Sequence, residues 1–143
     1  MFKYLILLLF SFQITTAQTV LGHWKTVDEN GVAKSVVKVY KTDNNKIEGK
    51  IVRILKDSER DRRCVKCEGS MKNEPIEGLV IMRGLEPEGD EYENGKITDP
   101  EKGRTYSCKI WIDEDNKDVL NVRGYWSFFY KTQHWERVEE GEF

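Results

Sequence analysis

Apolar and polar residues alternate with a period of two along most of this chain. In Lys34 to Thr42, Val37 and Val39 fall on one face, Val36 and Tyr40 on the other. Lys46 to Leu55 sets Ile47, Gly49 and Ile51 on one face. Arg104 to Ile112 sets Tyr106, Cys108, Ile110 and Ile112 on one face, and only Trp111 breaks the polar character of the other. Such alternation belongs to half-buried β-strands. Gly22 to Val27, Gly78 to Leu85, Tyr92 to Asp99, Val119 to Trp126 and Thr132 to Val138 add further strand-length runs, the third with Asn94-Gly95 near its start.

Turn signals separate these runs. Asp43-Asn44-Asn45 predicts a hairpin between the second and third strands. Asp99 to Tyr106 reads as a tight turn: Asp99 accepts from the backbone ahead, Pro100 presets φ, and Gly103 takes a positive φ. No segment carries a sustained apolar repeat of helical period. A short helix fits only the charged loop after Leu55 or Ser127 to Lys131. About eight strands at regular spacing predict a sandwich or a barrel, which patterning alone does not separate.

The N-terminus departs from this pattern. Lys3 gives a basic start, Tyr4 to Phe10 is uniformly apolar, and Thr15 to Ala17 ends on a small residue. That order predicts a secretory signal peptide over residues 1–17, too short to span a bilayer. Residues 18–143 are then one folding unit in an oxidising compartment. Basic and acidic residues number 23 and 25 and are interspersed, so there is no basic field to attract nucleic acid. No second long apolar stretch follows, so no membrane span is expected.

Candidate chemistry is sparse. His23 and His134 each adjoin a Trp in a strand, and no nucleophile elbow, P-loop or H-E-x-x-H is present. Most carboxylates lie in turns. The expectation is a protein without catalytic residues, metal or cofactor. Cys64 and Cys67 form a C-x-x-C with three readings: a disulfide, half a metal site, or reactive thiols. Zinc needs two more ligands and no second C-x-x-C exists. Redox chemistry needs a βαβ setting that the strand pattern denies. A disulfide needs only the oxidising compartment, and is the simplest reading. Cys108, on an apolar strand face, reads as a small core hydrophobe.

Gly22-His23-Trp24 puts a large ring at the start of the first strand. Such a Trp plugs a barrel end if a late Arg, Arg123 or Arg137, lies across it. Gly124 to Trp135 is dense in aromatics, which pack a corner or form a binding patch.

Taken in order, Gly22 to Tyr40, Lys46 to Leu55, Cys64 to Gly69, Glu74 to Leu85, Tyr92 to Ile112, Leu120 to Trp126 and Lys131 to Val138 resemble the exported bacterial family catalogued as domain of unknown function 2147. Asp99 to Tyr106, Asn121 to Tyr125 and Thr132 to Val138 carry most of that likeness, and the C-x-x-C falls where the family carries one. The resemblance implies an all-β fold, a lipocalin-like antiparallel up-and-down β-barrel of about eight strands. It also implies structural roles for Gly22, Trp24 and one of Arg123 and Arg137. It transfers no catalytic residue.

The expected function is binding of a small apolar or amphipathic ligand inside the barrel, an eight-stranded barrel having room for one. The lining candidates are Trp24, Val37, Val39 and Ile51 from the first half of the chain. Tyr106, Ile110, Val122 and Trp126 complete the set. Asp99, Pro100 and Gly103 are expected to shape a turn. The alternative is a solid barrel that meets an envelope protein through Tyr125 to Tyr130 or the charged loop Lys56 to Glu74.

Overall fold

The computed structural model describes residues 19–143, so the signal-peptide expectation for residues 1–17 lies outside the described residues. Eight strands form a closed barrel: β1 (Gly22–Val27), β2 (Ala33–Lys41), β3 (Ile47–Ile54), β4 (Val80–Glu88), β5 (Glu91–Asp99), β6 (Arg104–Ile112), β7 (Val119–Trp126) and β8 (Phe129–Val138). Each strand pairs antiparallel with the next, and β8 returns to β1 with Arg137 opposite Trp24. Closure removes the exposed edges that would leave backbone groups unpaired. It also decides between sandwich and barrel.

The register carries the alternation around the wall. Trp24 faces Val37, and Val37 faces Ile51. Cys108 stands opposite Gly95 and Gly124, while Ile110 stands opposite Tyr92 and Val122. These residues point inward.

The strand expected over Tyr92 to Asp99 is β5, and Asn94-Gly95 sits inside it, where the register shifts. Leu85 occupies the space that a Gly95 side chain would need, so the glycine serves packing. Ser127 to Lys131 holds no helix: Ser127 takes a φ of 54° and turns β7 into β8, which begins at Phe129. The charged loop does contain two short 3-10 turns, Asp57–Glu59 and Gly69–Met71.

The meander sorts connections to two ends. At one end lie the links 42–46, 89–90 and 113–118, with the chain entering at β1 and leaving after β8. At the other lie 28–32, the long 55–79 link, 100–103 and 127–128. The two ends differ in how their interiors are filled.

Candidate functional site

The first end is a packed floor. Trp24 is fully buried there, and its Nε1 donates to Val20 O at 2.8 Å. The Arg137 guanidinium lies 4.2 Å from the Trp24 ring centre. Arg137 also donates to Thr19 O at 2.8 Å and Leu21 O at 3.1 Å. Gly22 has a φ of 126°, and a Cβ there would press on Arg137 Nη1 at 3.0 Å. Gly22, Trp24 and Arg137 thus form one plug. Arg123 does not take part. It stacks on the outer wall, 4.9 Å from Trp111 and 4.3 Å from Tyr130. Val37, Val39, Ile47, Leu85 and Ile110 are buried around the plug in the same core. Cys108 joins them, and burial pushes its thiol up to about 12, so it stays protonated.

Above this floor the barrel opens into a cup of about 570 Å³. Its size suits a small-molecule site. Its apolar lining comprises Ile51, Ile54, Ile76, Ile97, Val122 and Trp135. Polar groups interrupt it: Thr26 and Ser35 share a hydrogen bond of 2.7 Å, and Gln133 Oε1 accepts from Trp135 Nε1 at 2.9 Å.

The rim is charged and tied together. Lys102 bridges to Glu29 at 2.5 Å, joining link 100–103 to link 28–32. Arg62 bridges to Glu101 at 3.5 Å and to Glu59 at 3.4 Å, joining link 55–79 to the same turn. The hydrogen bond from Lys102 keeps the Glu29 carboxyl below its ordinary value. Among the described residues no ion pair ties the β7–β8 tip to the other three links.

Link 55–79 is folded rather than slack. Arg63 pairs with Pro75, and Cys64 N and O bond Glu74 and Asn73. Glu77 clamps its return, accepting from Arg60 Nε at 2.9 Å and from Ile54 N at 2.9 Å. The Arg60 hydrogen bond, then the Ile54 N–H, hold the Glu77 carboxyl below its usual value. Cys64 and Cys67 are joined as a disulfide, and both are buried. The clipped segment rests on the Asp99–Gly103 turn. Cys64 Sγ lies 3.4 Å from Pro100 O, and a Cβ on Gly103 would overlap the Lys66 carbonyl. Asp99 Oδ1 caps that turn, accepting from Glu101 N at 2.9 Å.

Several lining candidates are therefore corrected. Trp24, Val37, Val39 and Ile110 point inward but belong to the floor. Ile51, Tyr106 and Val122 line the cup, as does Trp126 at its rim, where it is 65% exposed. Thr26, Ser35 and Gln133 also line the cup, although none belongs to the expected apolar set. Their signal was available: polar residues at inward-facing positions of otherwise apolar faces. Among the described residues no cluster of three metal-ligating side chains occurs.

A family model described as "Uncharacterized protein conserved in bacteria (DUF2147)" matches residues 22–137. Among solved structures, the chain is similar to one described as "Protein HP1028 from the human pathogen Helicobacter pylori belongs to the lipocalin family". The TM-score is 0.73 at 18% identity, over 88% of this chain and 87% of that one. At that identity the likeness speaks to the fold: a lipocalin-like barrel. No curated protein matches.

Proposed function

The chain belongs to the bacterial family described as uncharacterized proteins conserved in bacteria (DUF2147), and on that premise we propose that it is an exported binding protein for a small apolar or amphipathic molecule. The observation that carries this reading is the cup, about 570 Å³ of space with an apolar lining and a charged rim. An apolar body gains from burial against Ile51, Ile97 and Val122, on the order of 25 cal/mol per Å² covered. A polar head meets Thr26, Ser35 and Gln133, or the rim above them. The role is binding rather than catalysis: the carboxylates Glu29, Glu59 and Glu101 are engaged in ion pairs at the rim. The disulfide suits an oxidising compartment outside the cytoplasm.

Titration with a dansyl-labelled fatty acid tests the reading. Gly124 lines the cup, and a Cβ there meets only Tyr106, at 3.6 Å and beyond. Gly124→Leu therefore fills the cup with little strain on the wall. The expected result is saturable binding by the native protein, weakened about tenfold or more in the variant. Equal binding by both proteins, or none by either, contradicts a ligand in the cup.

A further inference from the structure

The exposed apolar side chains are not scattered. Phe128 is 97% exposed at the β7–β8 tip, flanked by Trp126, Phe129 and Tyr130. Val65, 63% exposed, stands in the clipped segment of link 55–79, and Val32, 55% exposed, stands in link 28–32. All of these surround the mouth of the cup. Among the described residues, Leu21 is the one exposed large hydrophobic residue near the floor. Three of the four mouth links thus present apolar groups to solvent, at a cost that singly scattered residues would not need explained.

We propose that the mouth end docks on a lipid bilayer surface, inserting the β7–β8 tip and bringing the cup against the acyl chains. Three observations favour a bilayer over a protein. The apolar groups sit on separate loop tips around an opening, where a soft planar medium meets them all at once. Trp126 and Tyr130 flank Phe128, an arrangement suited to the headgroup boundary, where amphipathic rings are favoured. The patch is continuous with the cup, since Trp126 and Phe129 also line it. A chain leaving the bilayer would stay covered along that path.

The charge pattern specifies the surface. Residues 126–130 carry no charge, and Lys102 and Arg62 at the rim are already paired with carboxylates. Lys66, Lys72 and Lys131 make no ion pair among the described residues, but Asp61, Glu68 and Glu74 in link 55–79 offset them in number, so the mouth has no net basic face. Adsorption is therefore driven by apolar insertion and does not require anionic lipid. The proposal deepens the reading above by naming the ligand's source, and rests on that reading for nothing else.

Sedimentation of the full protein with phosphatidylcholine vesicles tests it, repeated with phosphatidylglycerol added and at raised salt. The comparison variant is Val32→Ser, Val65→Ser, Phe128→Ser, none of which lines the cup. Both proteins share residues 1–18, so any contribution from that segment cancels. The expected result is binding to phosphatidylcholine alone that changes less than about twofold with salt. In the variant it falls about tenfold or more, while dansyl fatty acid binding in the absence of vesicles is retained. The proposal is overturned if the native protein stays in the supernatant or if the variant sediments like it. It is equally overturned if the patch drives a vesicle-independent dimer and no sedimentation. Vesicle binding that persists without fatty-acid binding supports the docking surface and contradicts the ligand reading, so the two fail separately.

Discussion

Gly103 and the backbone carbonyl of Lys66 are packed so closely that no side chain fits between them. This contact joins the two most conspicuous stretches of the chain. The C-x-x-C segment supplies Lys66, and the Asp-Pro-Glu-Lys-Gly turn supplies Gly103. Gly103 also has a φ of 66°, which an L side chain adopts only with strain. Gly103→Ala is expected to lift the clip from the turn. Stability should fall by about 1–3 kcal/mol, with faster amide exchange at Val65 to Cys67. Unchanged melting and exchange would show that the contact is incidental.

The clip itself should matter more for the mouth than for the barrel. It closes a loop of three-residue separation, so its entropic contribution is at the low end of the disulfide range. Cys64→Ser, Cys67→Ser is expected to lower the melting temperature by only a few degrees, with exchange raised in 62–76. A free-thiol assay on the native oxidised protein should find none, since Cys108 is buried and its thiol is held protonated. Unfolding without reductant should expose one. Two or three reactive thiols in the native protein would contradict the bridge.

Arg137 is expected to support the floor without touching ligand. Arg137→Met removes the stacking on Trp24 and leaves the carbonyls of Thr19 and Leu21 without that donor. The loss should be about 1–3 kcal/mol in denaturant unfolding. Lys should restore little, because it lacks the flat fork that covers the ring and bonds both carbonyls. Dansyl fatty acid affinity in surviving folded protein should stay within about twofold. A selective loss of affinity would place Arg137 in the site.

How much of this was legible in the sequence differs by level. Inside and outside were readable, because Val37, Val39, Cys108 and Ile110 obey a local period of two. Closure was not readable from that period, because the β1–β8 pairing joins Trp24 to Arg137 across the whole domain, and only the family resemblance implied it. Nor was height along the axis. Trp24 and Trp126 both point inward, yet one plugs the floor and the other rims the mouth, since β1 and β7 run the same way and Trp24 stands near the start of its strand while Trp126 ends its own. Parity identifies a face but not a layer, so floor and cup residues were pooled. The choice between Arg123 and Arg137 failed to resolve for a similar reason. Both lie on late strands, but only Arg137 has inward parity next to Trp24.

Acid should loosen the mouth link before it harms the barrel. Glu77 in the folded protein titrates below the ordinary glutamate value of 4.5, chiefly through its hydrogen bond from Arg60. Its stabilising contribution is therefore present above 4.5 and is lost as pH falls through the lowered folded value. Glu77→Gln should raise amide exchange in 60–77 at neutral pH. Well below 4.5 the variant and the native protein should converge. A difference that persists in acid would mean that Glu77 acts through packing alone.

The central claim is that ligand enters the upper half of the barrel and leaves the lower half untouched. Isoleucine methyl NMR tests it directly, because isoleucines occupy both layers. On addition of a monomeric fatty acid, the methyl groups of Ile51, Ile54, Ile76 and Ile97 in the cup should shift together and saturate. Those of Ile47 and Ile110, fully buried in the floor, should stay in place. Shifts spread evenly over both layers, or no shifts at all, would contradict the account.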